Sequence, residues 1–283
     1  MSATIMYGNL LANQIREEIK AEVEALKQSS VHPKLTVLII GHNPASKTYV
    51  RMKQKACEKV GIVSQVIELE EDISEEELLY QIEKLNKDTN VHGILVQLPL
   101  PNHINEDRVL EFINPNKDVD GFHPINIGRM QIGQDALIPC TPLGIMKLLE
   151  FYRVETKGKH AVVVGRSNIV GKPIGQLLLN QDATVTYCHS KTENLSDITK
   201  QADILIVATG KANTIQAADV KVGATIVDVG NTFLEHGGVI GDVDFEAVKE
   251  KVERITPVPK GVGPMTITML LHNTIKVASH FKQ

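Results

Sequence analysis

Apolar and polar positions divide the chain into two series of short strand-like runs separated by helical patterns. In a helical pattern the apolar residues recur every three or four positions, whereas a buried strand reads as an uninterrupted apolar run. Strands that alternate with helices predict parallel sheets, because a parallel pair needs a long crossover connection. The first series has predicted strands at 35–41, 62–69 and 93–99 and predicted helices at 9–28, 45–60 and 75–87.

The second series follows a stretch without periodicity. Residues 114–142 are rich in Pro, Gly, Asn and Asp, which predicts a loop and hinge. We expect two α/β domains on either side of it, which also suits a length of 283 residues. The later predicted strands are 161–165, 184–188, 203–208 and 225–229, and the predicted helices are 143–152, 171–180, 195–201, 245–251 and 264–281.

Composition narrows the functional classes. The chain is 42% hydrophobic and 23% charged, as in globular proteins, and its net charge of −4 comes without a basic stripe that would bind nucleic acid. The longest apolar runs are too short to cross a bilayer, and no signal peptide is visible. Cys57, Cys140 and Cys188 form neither a metal motif nor a disulfide framework. These features predict a cytoplasmic protein without metal or membrane; a mitochondrial origin with a removed transit peptide is the alternative.

A glycine turn after a strong strand is the first candidate binding site. The β-branched run 161–164 ends in Gly165 and leads through Gly171 into a helical pattern. Glycine lets a backbone approach a pyrophosphate, and a helix N-terminus favours its charge. The spacing is not G-x-G-x-x-G, so an ordinary glycine-containing turn is the competing interpretation.

The next strand bears on the choice of nucleotide. NAD sites place an acidic residue about 20 residues after the glycine turn, where it binds the ribose 2′-hydroxyl. Residues 187–191 contain no carboxylate, whereas Arg166, Ser190 and Lys191 could receive a 2′-phosphate. The pattern favours NADP over NAD, and solvated loop residues are the alternative interpretation.

A lysine among apolar positions is the second candidate. On the predicted helix 45–60, Lys53 joins a face one turn beyond Tyr49. A buried lysine loses its proton more readily, which suits proton transfer, unless the ammonium reaches water past the edge of the stripe. The residues predicted to share the apolar face are Ala45, Tyr49, Met52, Ala56 and Val60.

Six segments in order resemble the bifunctional methylenetetrahydrofolate dehydrogenase/cyclohydrolase family. Together they span nearly the whole chain. They are Tyr49-x-x-x-Lys53, Gly93-Ile-Leu-Val-Gln-Leu-Pro-Leu-Pro101, Lys117-Asp-Val-Asp-Gly-Phe-His-Pro124, Pro139-Cys-Thr-Pro-Leu-Gly-Ile145, Val164-Gly-Arg-Ser-x-x-Val-Gly-Lys-Pro173 and Thr256-Pro-Val-Pro-x-Gly-Val-Gly-Pro-Met-Thr266.

The resemblance implies a fold and two reactions. A folate-binding α/β domain, residues 1–139 plus 262–283, and a Rossmann-like NADP-binding domain, residues 140–261, would face each other across a cleft. NADP would oxidise 5,10-methylenetetrahydrofolate to the methenyl form, and water would open that ring to 10-formyltetrahydrofolate, a step of one-carbon metabolism that serves purine biosynthesis. A homodimer is also implied, and the resemblance implies a cis Leu-Pro bond in the segment 93–101.

It also assigns residues. Lys53 would carry the proton in hydrolysis, Gln97 would orient Lys53, Tyr49 would stack on the folate, and Asp120 would hold the pterin donors. The substrate contacts would be Tyr49, Lys53, Val96, Gln97, Leu98, Asp120, Pro259, Gly261 and Gly263, and the NADP contacts Thr141, Gly165, Arg166, Ser167, Ser190, Ala208, Asn231 and Thr266.

Two positions depart from the family pattern. Lys260 replaces a glycine, which calls into question either an unusual backbone angle or a close approach to ligand, and Asn231 follows a glycine where many relatives have Ile. Competing interpretations are a dehydrogenase without the hydrolytic step, a non-catalytic NADP-binding module, and a dehydrogenase for a hydroxy or amino acid. Asp118, Asp120 and Gln97 could also be turn or strand-end residues.

Overall fold

The computed structural model describes residues 3–234 and 237–281. Eleven strands are present within these ranges. The strands are β1 (Thr4–Ile5), β2 (Lys34–Ile40), β3 (Val63–Leu69), β4 (Gly93–Val96), β5 (His160–Val164), β6 (Thr184–Cys188), β7 (Ile204–Val207), β8 (Thr225–Asp228), β9 (Thr232–Phe233), β10 (Val239–Ile240) and β11 (Arg254–Ile255).

The α-helices alternate with these strands over most of the described chain. They are α1 (Gly8–Gln28), α2 (Pro44–Val60), α3 (Glu75–Lys87), α4 (Glu106–Phe112), α5 (Pro124–Gln131), α6 (Cys140–Phe151), α7 (Gly171–Asn180), α8 (Leu195–Thr199), α9 (Phe245–Val248) and α10 (Val262–Ser279).

The chain divides into two compact units. One contains the residues up to Asn13 together with Thr141–Thr266, and the other contains Gln14–Cys140 together with the residues from Ile267 onward. The predicted domain division, whose ends at residues 1–2 and 282–283 lie outside the described residues, stays a prediction. The structure adds that β1 pairs in parallel with β11, so the N-terminal residues contribute a strand to the sheet of the second half.

The unit that contains Thr141–Thr266 is called the larger unit below because it has the larger sheet, and the other is called the smaller unit. The sheet of the larger unit has six strands in the order β1-β11-β8-β7-β5-β6. All its pairs are parallel, and its core contains fully buried aliphatic residues such as Val162, Leu205 and Ile226. From β5 the chain moves to β6 on one side and then returns to β7 on the other. The gap between the carboxyl ends of β5 and β7 is therefore a topological switch point, where open α/β sheets bind ligands.

The other unit has a three-stranded parallel sheet with the order β3-β2-β4. Its core packs α3 and α4 against β2 and β4 through buried residues that include Leu38, Ile82, Ile94 and Val109. Because β3 and β4 flank β2 on opposite sides, this sheet has its own switch point between the carboxyl ends of β2 and β4.

The parallel sheets and crossover helices confirm the predicted α/β architecture. The loop predicted over 114–142 is wrong in part, because α5 begins at Pro124 and α6 already begins at Cys140. Pro124 occupies the first turn of α5, where its missing N–H has no cost, and the His123 ring accepts a hydrogen bond from Ile125 N. The predicted strand 93–99 ends at Val96.

Candidate active site

Helix α2 positions the predicted catalytic lysine. Asn43 caps the helix by accepting hydrogen bonds from Ala45 N and Ser46 N, and Gly61 ends it with a φ of 84°. The predicted apolar face was wrong at Ala45 and Met52, which are exposed. The face of α2 that packs against β2 and β3 is displaced by about one residue from the predicted stripe. The buried positions of α2 are Ser46, Val50, Ala56, Cys57 and Val60.

Lys53 lies on that buried face, seven residues after Ser46 and four before Cys57, and is half-buried. Its Nζ donates a hydrogen bond of 3.0 Å to Gln97 Oε1. Gln97 is itself fixed, because its Nε2 donates to Leu98 O at 2.8 Å and its main-chain N donates to Leu38 O at 2.9 Å. The lysine amine and the glutamine amide therefore meet beside the switch point between β2 and β4.

Asp120 reaches the same edge of the sheet on the segment that follows Lys117. This segment runs beside β4, with Ile94 N donating to Lys117 O at 2.8 Å and a parallel bridge between Ile94 and Asp118. Burial raises the pKa of Asp120 to about 6, and the charge of Lys53 opposes that rise. Lys53 thus donates a hydrogen bond to Gln97 and interacts electrostatically with Asp120, and these three residues form the lysine–glutamine–aspartate group.

Asp118 supports this segment through the hydrogen bonds of its carboxylate. Its carboxylate accepts hydrogen bonds from Gly121 N at 3.2 Å, His123 N at 2.8 Å and the Asn126 amide at 3.0 Å. The turn-forming interpretation is therefore confirmed for Asp118. Lys117, which the sequence did not single out, is buried and donates to Leu85 O and Asp88 O at the end of α3.

The other predicted substrate residues of this unit lie close along the chain. Tyr49 is half-buried and lies one helical turn before Lys53. Val96 is buried as the last residue of β4, and Leu98 is half-buried just beyond Gln97. The peptide bond between Leu98 and Pro99 is cis.

The larger unit carries a close-packed glycine cradle at its switch point. Gly165 follows β5 with a φ of 135°, and a Cβ placed there would come within 2.3 Å of Ala208 O, at the end of β7. A Cβ on Gly171 would come within 2.3 Å of Gly165 O. Both positions therefore require glycine, and the first turn of α7 lies against the backbone turn that follows β5.

The strand register brings further predicted cofactor residues to this edge. Val164 is paired with Cys188, so Arg166 and Ser190 each lie two residues beyond a matched pair. Arg166 is exposed and makes no hydrogen bond or ion pair inside the described ranges, whereas Ser167 Oγ accepts from Val170 N and Gly171 N. A cradle of glycine backbone with a guanidinium at its rim and no carboxylate at residues 187–191 fits a phosphorylated dinucleotide.

The remaining predicted residues lie elsewhere in the larger unit. Asn231 follows β8 by three residues, and Thr141 and Thr266 are joined by a hydrogen bond of 2.8 Å between their hydroxyls. The Val258–Pro259 peptide bond is cis, and a Cβ on Gly261 would come within 2.4 Å of Pro257 O.

Gly263 is the second residue of α10. Lys260, which replaces the family glycine, has a φ of 81°. Lys260 therefore departs from the family pattern in identity but keeps a backbone angle that favours glycine.

Together, a glycine cradle at one switch point and a lysine–glutamine–aspartate group at another define a two-domain α/β enzyme with a dinucleotide-binding domain. Sequence comparison identifies the family. The profile described as "Tetrahydrofolate dehydrogenase/cyclohydrolase, catalytic domain" matches residues 6–120, and the profile of the "NAD(P)-binding domain" of the same family matches residues 139–282. The chain belongs to the tetrahydrofolate dehydrogenase/cyclohydrolase family, which confirms the resemblance seen in its motifs.

Individual relatives match this chain over nearly its full length. The "Bifunctional protein FolD" of Halalkalibacterium halodurans is 59% identical over 98% of this chain and 99% of its own. The structure of the bifunctional enzyme from Campylobacter jejuni superposes with a TM-score of 0.98 at 52% identity, covering 99% of this chain and 100% of that one. The Trypanosoma brucei enzyme, solved with NADP cofactor and inhibitor, gives 0.95 at 36% identity over 99% of both chains.

Two other kinds of feature are absent from the described residues. None of their helices combines the length and apolarity needed to span a membrane. No group of three or more His, Cys, Asp or Glu residues in the same ranges is arranged to hold a metal ion.

Proposed function

We propose that the chain oxidises 5,10-methylenetetrahydrofolate to 5,10-methenyltetrahydrofolate with NADP and then hydrolyses the product to 10-formyltetrahydrofolate. The observation that carries the proposal is the hydrogen bond of Lys53 Nζ to Gln97 Oε1 at a switch point, with Asp120 in the same charged group. A dehydrogenase that only transferred hydride would have little use for an oriented amine, because hydride transfer depends mainly on placement.

The folate side is assigned to the smaller unit. Asp120 accepts hydrogen bonds from the pterin donors, a role that a carboxylate fills when ionised. Tyr49 stacks on the folate rings, and Val96 and Leu98 complete the surface around Gln97. From the larger unit, Pro259 and Gly261 before α10 and Gly263 in its first turn are also assigned to the substrate.

Hydrolysis is assigned to Lys53. Water adds to the methenyl carbon, the carbon–nitrogen bond of the ring breaks, and one proton is released overall. Lys53 carries the proton and stabilises the charge that develops on the adding oxygen, and Gln97 holds the amine in position. The charge of Asp120 interacts with Lys53 and adds to the electrostatic field around the amine.

The cofactor side is assigned to the larger unit. When bound, NADP supplies the acceptor for the hydride of the methylene group. The backbone at Gly165 and Ser167 approaches the diphosphate, and Arg166 and Ser190 bind the 2′-phosphate. Further contacts are assigned to Thr141, Ala208, Asn231 and Thr266.

Assembly and location complete the proposal. We assign the protein to the cytoplasm as a homodimer that acts in one-carbon metabolism and feeds purine biosynthesis, without a nucleic-acid or membrane partner. The net charge of −4 and the absence of a basic stripe support the exclusion of nucleic acid.

A second candidate function is a dehydrogenase that lacks the hydrolytic step. Lys260 favours it, because a cation stands where the family has glycine. The φ of 81° at Lys260 favours the bifunctional enzyme instead, since the backbone keeps the glycine-type geometry despite the side chain.

One assay separates these candidates. Purified protein is mixed with methylenetetrahydrofolate and either NADP or NAD, and the reduced nucleotide and both folate products are quantified over time. We expect 10-formyltetrahydrofolate to form faster than the uncatalysed decay of the methenyl compound, with NADP preferred. Accumulation of the methenyl compound at the uncatalysed rate would identify a dehydrogenase alone, and nucleotide binding without turnover would reject both.

A further inference from the structure

Two buried aspartates lie at the carboxyl edge of the six-stranded sheet, and neither has been given a role above. Asp228 ends β8 and is 3% exposed, and Asp242 follows β10 and is fully buried. Carboxylates are rarely buried to this degree unless they are paired or hydrogen-bonded. Neither residue forms an ion pair within the part of the chain that the structure describes, so their partners are backbone and hydroxyl groups of the adjoining loops.

Asp242 holds the loop after β7. Its Oδ2 accepts three hydrogen bonds, from Thr209 N at 2.6 Å, Gly210 N at 2.9 Å and Thr209 Oγ1 at 2.8 Å. Thr209 is the residue directly after Ala208, whose carbonyl lies against Gly165 at the switch point. The carboxylate of Asp242 therefore fixes one wall of the glycine cradle from behind.

Asp228 holds the loop after β8. Its Oδ1 accepts from Gly230 N at 2.8 Å and from Asp242 N at 2.9 Å, and its Oδ2 accepts from Val243 N at 2.9 Å. Gly230 directly precedes Asn231, so Asp228 fixes the loop that carries that residue. Because Asp228 also binds the backbone of Asp242, the two carboxylates connect the ends of β7 and β8.

The surrounding backbone packs closely against both carboxylates. A Cβ on Gly230 would come within 2.3 Å of Asp242 Oδ1, and a Cβ on Gly241 would come within 1.9 Å of Asp228 Oδ2. Asp242 Oδ1 is buried and has no hydrogen-bond partner among the residues that the structure describes. An unpaired buried acceptor destabilises the folded chain, so stability alone does not account for a carboxylate at this position.

We propose that Asp228 and Asp242 are positioning residues for the cofactor, which set the loops after β7 and β8 at the separation that NADP requires. The proposal rests on the proposed function, because Ala208 and Asn231 receive their cofactor role there. The carboxylates act through these two loops and do not touch the nucleotide.

The test compares NADP affinity among variants in the absence of folate. Asp242→Ala removes all three hydrogen bonds of Oδ2, whereas Asp242→Asn keeps a carbonyl oxygen that can accept from Thr209 and Gly210. We expect Asp242→Ala to raise the NADP dissociation constant by about tenfold or more, as for the loss of a well-placed hydrogen bond, and Asp242→Asn to raise it less. Titration calorimetry measures the constants, and thermal melting monitors folding.

Two readouts separate positioning from general damage. Hydrolysis of methenyltetrahydrofolate needs no NADP, so its rate should stay within about twofold of the unsubstituted protein if only the cofactor loops have moved. The matched control is Asp203→Ala, at the amino edge of the same sheet, where the carboxylate accepts from His160 N at 2.9 Å and Lys221 Nζ at 2.6 Å. This control should leave NADP affinity unchanged even if it lowers the melting temperature.

The proposal is overturned if folded Asp242→Ala binds NADP as tightly as the unsubstituted protein, or if hydrolysis falls as much as affinity. Should Asp242→Ala fail to fold, Asp242→Asn and Thr209→Val decide, and unchanged dissociation constants in both would refute it. If the unsubstituted protein does not turn over folate, the proposed function is rejected. The comparison of NADP affinities requires no folate, so it tests the positioning role separately.

Discussion

Replacing Lys53 with methionine should separate the two proposed reactions. Methionine keeps most of the apolar stem of the half-buried lysine and removes the amine that donates to Gln97 Oε1 at 3.0 Å. A positioned proton-transfer group contributes about 10²–10⁴-fold to a rate, which corresponds to about 2.7–5.4 kcal/mol of activation free energy. Hydrolysis should fall by that factor, and the dehydrogenase rate should fall far less.

The structure also bounds the effect on stability. A hydrogen bond to a charged group contributes about 1.5–3 kcal/mol, and at this half-buried position the lower end applies because water can solvate the freed Gln97 amide. A loss of about 1.5 kcal/mol lowers a melting temperature by roughly 3–6 °C. Unfolding therefore cannot account for a hundredfold loss of hydrolysis at 25 °C.

Loss of the amine has an electrostatic consequence as well. Lys53 opposes the burial that raises the pKa of Asp120, so Lys53→Met should raise that pKa further above about 6. Folate affinity in the variant should then need a higher pH to reach its maximum.

The assay uses methylenetetrahydrofolate with NADP for the first step and the methenyl compound alone for the second. Lys55→Met is the matched control, because Lys55 is exposed on the same helix and should leave both rates unchanged. Equal losses in both reactions, or unchanged hydrolysis in Lys53→Met, would refute the role given to the amine.

Three further predictions follow from single residues. The pKa of Asp120 is about 6 in the folded protein and about 3.9 in the unfolded chain. The protonated Asp120 therefore contributes stability that is fully present below about pH 4 and is lost as the pH rises through about 6. Folate affinity, which needs the ionised carboxylate, should rise over the same range, and Asp120→Asn should abolish that rise in a pH series of binding titrations. Arg166→Ala should raise the KM for NADP by about 10–100-fold and leave the KM for NAD nearly unchanged, as expected for one charge-assisted hydrogen bond; equal effects on both nucleotides would contradict 2′-phosphate binding. Lys260→Gly should raise the free energy of unfolding by about 0.5–1 kcal/mol in denaturant titrations, because the φ of 81° strains a side chain but not glycine; a loss of stability would mean that the lysine side chain makes a stabilising contact.

The charged group of the smaller unit also shows how supporting residues act at a distance. Asp118 closes the turn before His123, and Lys117 is tied to the end of α3 through Leu85 O and Asp88 O. Both residues fix the segment that carries Asp120. Substitution of either would therefore act on Asp120 through the backbone, and substitution of Asp118 would also remove a charge that raises the pKa of Asp120.

The sequence by itself determined the elements whose signals are local. The predicted helices 75–87 and 171–180 and the predicted strand 184–188 have the bounds seen in the structure, because periodicity, capping residues and glycine turns act over a few residues. The family, the fold class and NADP as the cofactor were also accessible, since several motifs in a fixed order are highly specific.

Only the tertiary structure decided features that depend on partners remote in the chain. It selected the face of α2 that is buried, correcting the predicted stripe at Ala45 and Met52, because the sheet and not hydrophobicity sets the rotation of the helix. It formed α5 within a predicted loop, where the Asn126 amide donates to Pro115 O and Asp118. It also joined Asp228 to Asp242 N across 14 positions of sequence. Contacts of this kind leave no periodic trace in the sequence, because each depends on where the sheet brings the chain back.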